Sequence, residues 1–183
     1  MNTKLLGIVY MIGMLAAAVG GFGGNPSSFW TELSFVLFGI GGICGIVALL
    51  HLNAFGSKTW ARALSVVPLI GFATFVIGSV LTIIGVLQSG DPVYNFLAGV
   101  AWIMMLAGML IVAILTIVAG QWTGWRRFAP LAAVLMIPLG AGIGSLLANT
   151  DAMSWLTFLG FLAPGLAIVT YPAAATDDAA AIA

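Results

Sequence analysis

The sequence predicts an all-α integral membrane protein, a six-transmembrane-helix bundle made of three consecutive helical hairpins. Three observations lead there. Of the 183 residues, 62% are hydrophobic and 5% are charged, with a mean hydropathy of +1.21, whereas a soluble domain carries about 25% charged residues. Six apolar runs, at about 5–22, 34–52, 66–88, 96–120, 129–149 and 155–171, each come close to the roughly 20 helical residues that cross a ~30 Å hydrocarbon core. Counting six spans puts Lys4, Lys58, Arg62, Arg126 and Arg127, every lysine and arginine in the chain, on one side. Glu32, Asp91 and Asp151 fall on the other. Short basic loops resist translocation, so both termini are expected in the cytoplasm, and a count of five or seven spans would break the segregation. Residues 1–171 then form one six-helix transmembrane domain, and 172–183 a disordered cytoplasmic tail.

The first run opens with Lys4 and continues to Phe22. A charged start, an apolar middle and Ala16-Ala17-Ala18 also suit a secretory signal, but the run is longer than such a signal needs, which favours a retained span. Gly13, Ala17 and Gly21 lie four apart on one helical face, and small faces let helices approach closely. Gly24-Asn25-Pro26 marks an outer turn, with Trp30 and Glu32 placed at the water boundary. In the second run Gly41, Gly45 and Ala48 make a GxxxG-type face. It serves either packing within the chain or assembly with another subunit.

The inner loop that follows holds His51, Lys58, Trp60 and Arg62. Pro68 opens the third span, where the first helical turn tolerates proline. Gly90-Asp91-Pro92 forms the next outer turn and leads to the fourth span. The second inner loop, Gln121-Trp122-Thr123-Gly124-Trp125-Arg126-Arg127, combines two arginines with two tryptophans expected in the headgroup layer. The fifth and sixth spans carry Pro138 and Pro164 near their middles, and the residues after Tyr171 form an Ala-rich tail with Asp177 and Asp178.

The first two hairpins echo each other. Gly24-Asn25-Pro26 matches Gly90-Asp91-Pro92 at 90 − 24 = 66, and Trp60-Ala61-Arg62 matches Trp125-Arg126-Arg127 at 125 − 60 = 65. Turn and loop preferences alone also produce such coincidences. The units run in parallel orientation, unlike the inverted repeats common among secondary transporters.

The search for chemistry is mostly exclusion. Every Lys, Arg, Asp and Glu, and the single His51, lies at a span end, in a loop or in the tail. Ionisable groups at depth mark proton relays and ion pathways, and none is placed there. No HExxH, GxSxG or Walker loop occurs, so no catalytic residue, cofactor site or metal site can be named. Cys44 stands alone, which removes any intrachain disulfide. Glu32, Asp91 and Asp151 read as solvated loop carboxylates, with convergence for acid–base work the alternative.

One further pattern concerns the mid-span prolines. Each frees the carbonyl four residues earlier, at Val134 and Gly160. Pro138, Gly140, Gly144, Ser145 and Pro164 could therefore line a path for a small neutral solute through backbone carbonyls and hydroxyls. Two ordinary kinks are the alternative. Trp102, deep in the fourth run beside Met104 and Met105, reads as packing or a ligand contact.

The expected function is a non-catalytic accessory or self-associating component of a membrane complex, and a facilitator for a small neutral solute is the second reading. Partners are the lipid bilayer and other membrane subunits or further copies of the chain. A net charge of +0 speaks against nucleic acid. Short basic inner loops suit a prokaryotic plasma membrane.

Overall fold

The computed structural model describes residues 2–21, 29–88, 90–146 and 150–172, and their side chains except at 21, 141, 144 and 150–158. The described residues are helical with short connections. The helices are α1 (Thr3–Ala16), α2 (Phe29–His51), α3 (Thr59–Leu64), α4 (Val66–Ile83), α5 (Pro92–Ala119), α6 (Ala129–Leu146) and α7 (Thr150–Val169). A π-helical turn, Ala17–Gly21, prolongs α1, and a 3-10 turn, Gly124–Phe128, leads into α6. Among the described residues, four helical stretches are long and apolar enough to cross a membrane: Thr3–Gly20, Phe29–His51, Thr59–Ile83 and Pro92–Ala119. That is consistent with an integral membrane location. With α6 and α7 the bundle has six long helices, as the hydropathy pattern predicts.

Several boundaries differ from the sequence reading, each for a local reason. Helix α2 begins at Phe29 rather than 34, which takes Trp30 and Glu32 out of the loop and into its first turns. Helix α4 ends at Ile83 instead of 88 because Gly85 adopts φ 78. The Gly85 N–H donates to the Thr82 carbonyl and the Val86 N–H to the Leu81 carbonyl, the paired bonds of a Schellman stop. Asn53, at φ 50, closes α2 in the same way, with Asn53 N–H to Leu50 and Ala54 N–H to Leu49. Asparagine tolerates the left-handed region better than other side chains. Helix α5 starts early because Pro92 fits its first turn. The inner loop 51–65 contains α3. The expected tail from 173 onward, with Asp177 and Asp178, lies outside the described residues.

Consecutive long helices are neighbours, and α7 closes the ring against α1. Glycines set the spacing. A Cβ on Gly41 would sit 3.0 Å from the Gly13 Cα, and one on Gly71 would sit 2.6 Å from the Met105 N. One on Gly160 would sit 3.0 Å from the Ala132 carbonyl oxygen, and Gly108 meets the Pro68 ring in the same manner. Backbones therefore come close at three crossings, α1–α2, α4–α5 and α6–α7, as small residues permit in apolar surroundings. The centre is filled by rings. Phe38 packs edge-on against Phe72 (5.5 Å), Phe75 (5.6 Å) and Phe161 (6.2 Å), while Tyr10 is wedged between Gly45 and Gly165.

The charges divide between the two ends of the bundle. Lys4, Lys58, Arg62, Arg126 and Arg127 lie at the end where α2 and α5 finish, and Glu32 and Asp91 at the opposite end. The segregation that set the six-span count is present in the fold.

Candidate functional site

The most built polar arrangement lies at the acidic end, between α2, α4 and α5. The segment Phe29-Trp30-Thr31-Glu32 forms the first turn of α2, with Phe29 and Trp30 exposed and Thr31 and Glu32 each only 2% exposed. Helical geometry turns the second pair inward while the aromatic pair faces out. The turn is anchored by the Thr31 hydroxyl donating to the Gly20 carbonyl (3.2 Å) in the π turn, and by the Ser34 hydroxyl donating to the Thr31 carbonyl (2.6 Å). A carboxylate in a first turn is favoured by the partial positive charge of the helix N-terminus.

From α5, the Tyr94 hydroxyl donates to Glu32 Oε1 at 3.1 Å. Glu32 Oε2 is buried and has no hydrogen-bond partner among the described residues. That combination is rare, since a buried polar atom without a partner costs about 1–3 kcal/mol and more when charged.

Tyr94 also lines a cavity of about 140 Å³ that runs down between the three helices. Phe35 of α2, Thr74, Phe75 and Ser79 of α4, and Trp102 of α5 form the rest of its principal wall. Trp102 meets Phe75 edge-to-face at 5.2 Å and 87°. The Thr74 hydroxyl is turned back to the Ile70 carbonyl at 2.8 Å. The site is thus an aromatic slot with hydroxyls as the polar groups of its lining, and the Glu32 carboxyl, bonded to Tyr94, stands outside that lining. It can hold a small molecule, but it pairs no nucleophile with a base, and no group of three His, Cys, Asp or Glu side chains lies together among the described residues.

The basic end is occupied with holding helices. The Arg127 guanidinium donates to the Ile117 carbonyl through Nε (2.8 Å) and through a second, shorter contact from its terminal nitrogen. Arg126 donates to the Thr170 hydroxyl (3.3 Å) and carbonyl (2.9 Å) while lying over the Trp125 ring. Both cations sit at helix C-termini, where the macrodipole favours them. Of the two loop tryptophans expected in the headgroup layer, Trp125 is exposed. Trp122 is instead buried, with its ring 5.3 Å from Tyr171 and its Nε1–H without a partner among the described residues. His51 is exposed beside an open groove with Asn53 and Arg62.

The residues singled out in the sequence fall as follows. Gly41 lies against Gly13, Gly45 takes the Tyr10 ring, and Ala48 is fully buried, so helices of this same chain cover that face. The mid-span prolines do not share a level. Gly160 abuts Ala132 and Met136, so in the antiparallel α6–α7 pair Pro138 and Pro164 diverge from that point by four residues each, about 12 Å in total at 1.5 Å per residue. Pro138 and Ser145 are exposed, whereas Gly140 and Pro164 are buried; the side of Gly144 lies outside the described residues. Both helices run on through their prolines. Among its described members, Pro138 and Ser145 on the one hand and Gly140 and Pro164 on the other lie on different sides of the bundle surface.

Asp91 accepts from the Gln88 N–H at 2.8 Å, and the Asp151 side chain lies outside the described residues. Glu32 and Tyr94 are what the sequence reading missed. The available signal was the helix-compatible run from Phe29 onward, which would have put Glu32 one turn inside a span rather than in a loop.

Comparison with protein-family models, with curated protein sequences and with solved structures finds no match.

Proposed function

We propose that the chain is a non-catalytic component of a membrane complex, spanning a prokaryotic plasma membrane six times with both termini in the cytoplasm. The observation that carries this reading is the filled axis of the bundle. Phe38, Phe72, Phe161 and Tyr10 occupy the space a solute would cross, and glycine contacts draw the backbones together around them. A pore or facilitator needs polar groups along a continuous path, and the hydroxyls and freed carbonyls of α6 and α7 are dispersed instead. The three arginines, Arg62, Arg126 and Arg127, are engaged in closing helix ends. What remains for interaction is the lateral apolar shell, the exposed aromatic pair Phe29 and Trp30, and the acidic end.

The test is mild solubilisation of the native membrane followed by separation under non-denaturing conditions. A second membrane subunit, or a second copy, co-migrating with the chain in fixed ratio is the expected result. A chain that migrates alone, together with solute flux into liposomes holding the purified protein, would replace this reading with the facilitator.

A further inference from the structure

We infer that the cavity between α2, α4 and α5 binds a small neutral ring compound bearing an acceptor oxygen. Phe75, Tyr94 and Trp102 take the ring, and the Ser79 hydroxyl donates to the oxygen. The inference does not depend on the assembly role proposed above.

Two adjacent residues of α4 carry it. Gly78 is buried, yet a Cβ built on it would meet nothing within 4 Å. At Gly41 and Gly71 the same atom would run into a neighbouring helix, and at Gly99 and Gly142 it is free because those residues are exposed. Gly78 alone among these five combines burial with open space, and that space is the slot it lines. Ser79 lines the same slot, is 4% exposed, and makes no hydrogen bond among the described residues. Thr82 and Thr116 behave differently. Each turns its hydroxyl back to the carbonyl four residues earlier, at 3.0 Å and 2.8 Å, the usual answer for a hydroxyl within a helix away from water. The Ser79 O–H is left for a guest.

The lining narrows what that guest is. At about 140 Å³ the cavity is close to the ~150 Å³ apolar cavity that accepts benzene in an engineered protein, so a single ring fills it. No charged side chain lines it, and an ion removed from water without a counter-charge is costly, so the guest is neutral. Of the three hydroxyls in the lining, Thr74 donates to the Ile70 carbonyl and Tyr94 to Glu32. Ser79 is the remaining donor, and its complement is an acceptor. The end of a lipid acyl chain would fill the slot but leave Ser79 unpaired.

The experiment titrates the full chain in lipid nanodiscs with 4-fluorobenzyl alcohol and its apolar isostere 4-fluoroethylbenzene, followed by fluorine NMR. Empty nanodiscs give the partition of each probe, and affinities are referred to the lipid-dissolved probe. The alcohol is expected to bind about fivefold more tightly, the worth of one neutral hydrogen bond. Ser79→Ala is expected to abolish that preference and leave 4-fluoroethylbenzene unchanged. Gly78→Leu fills the slot and is expected to remove saturable binding of both probes. Gly78→Ala is the milder variant, placing one methyl in open space. It is expected to weaken both probes about fourfold, roughly the value of one buried methylene, with thermal unfolding unchanged or raised. Equal affinities of the two probes for the unaltered chain would overturn the assignment, as would a preference that survives Ser79→Ala. So would undiminished binding in folded Gly78→Leu or Gly78→Ala, or no saturable signal above empty nanodiscs, the result expected if a lipid chain holds the slot.

Discussion

Arg62 and Arg127 hold the same place in successive inner loops. Each comes two residues after an exposed tryptophan, Trp60 and Trp125, and each reaches back to the end of the preceding long helix. Arg62 donates to the side chain of Asn53, the residue that closes α2, at 2.6 Å, and Arg127 donates to the Ile117 carbonyl in the last turn of α5 at 2.8 Å. The spacing is 127 − 62 = 65 residues, the interval at which Trp60 and Trp125 recur. Each loop also carries a short helical segment, α3 or the 3-10 turn, before the next span. The two hairpins therefore share a closing device as well as a layout.

The two arginines should differ in weight. Arg127 is half-buried and meets a main-chain acceptor, so Arg127→Ala is expected to lower unfolding stability by about 1–2 kcal/mol. Arg62 is exposed, and Arg62→Ala should change it by less than about 1 kcal/mol. Denaturant titration in detergent, followed by tryptophan fluorescence, measures both. Equal losses at the two positions would mean that Arg127 does not act through the α5 terminus.

Glycine positions separate into two classes by what faces them. At Gly41 and Gly71 an added Cβ meets backbone atoms at 3.0 Å and 2.6 Å, so alanine forces two helices apart, and a loss of about 1–3 kcal/mol is expected. At Gly99 and Gly142 nothing lies within 4 Å. Alanine there restores ordinary helix propensity and should stabilise by about 0.5–1 kcal/mol. A thermal-unfolding series on the four variants checks the sign at each site. Destabilisation at Gly99 would reveal that a partner or a further copy covers that face.

The contrast between what was legible and what was not follows from the kind of signal each residue gives. The runs of apolar residues, and the confinement of Lys4, Lys58, Arg62, Arg126 and Arg127 to one end, are one-dimensional patterns, and the fold repeats them. Helix stops were legible only in part. Gly85 and Asn53 end helices through backbone conformation in the midst of apolar sequence, which hydropathy does not register. The candidate site was not legible, because Glu32 is one residue among loop-like neighbours. Its burial depends on Tyr94, 62 residues away, and on where α2 starts. The heights of Pro138 and Pro164 were not legible for a related reason, since equal positions within two spans do not mean equal heights once Gly160 fixes the register of α6 and α7.

Tyr10 offers a test with a sign opposite to most core substitutions. Its ring is clasped by Gly45 and Gly165, and its hydroxyl is buried without a partner among the described residues. Tyr10→Phe keeps the ring and removes a polar atom that is left unsatisfied, so unfolding stability should be unchanged or rise by about 1 kcal/mol. Measured by thermal unfolding in detergent, a clear loss would mean that the hydroxyl is satisfied in the membrane by a water or a bound molecule.

The distribution of charge over the two ends yields the last expectation, and it bears on orientation. Arginine- and lysine-bearing short loops remain on the cytoplasmic side, while α2 and α5 both begin at the end that holds Glu32 and Asp91 and finish at the end that holds Lys58 and Arg126. With Cys44 replaced by serine, single cysteines can be placed at Lys58 and Trp125, and at Trp30 and Asp91. Lys58, Trp125 and Trp30 are exposed and Asp91 is half-buried, so none needs unfolding to be reached. In intact cells a membrane-impermeant maleimide should label the cysteines at 30 and 91, and those at 58 and 125 only after the membrane is opened. Labelling of 58 and 91 from the same side would be incompatible with α4 crossing the bilayer between them, and with the six-span arrangement proposed for the chain.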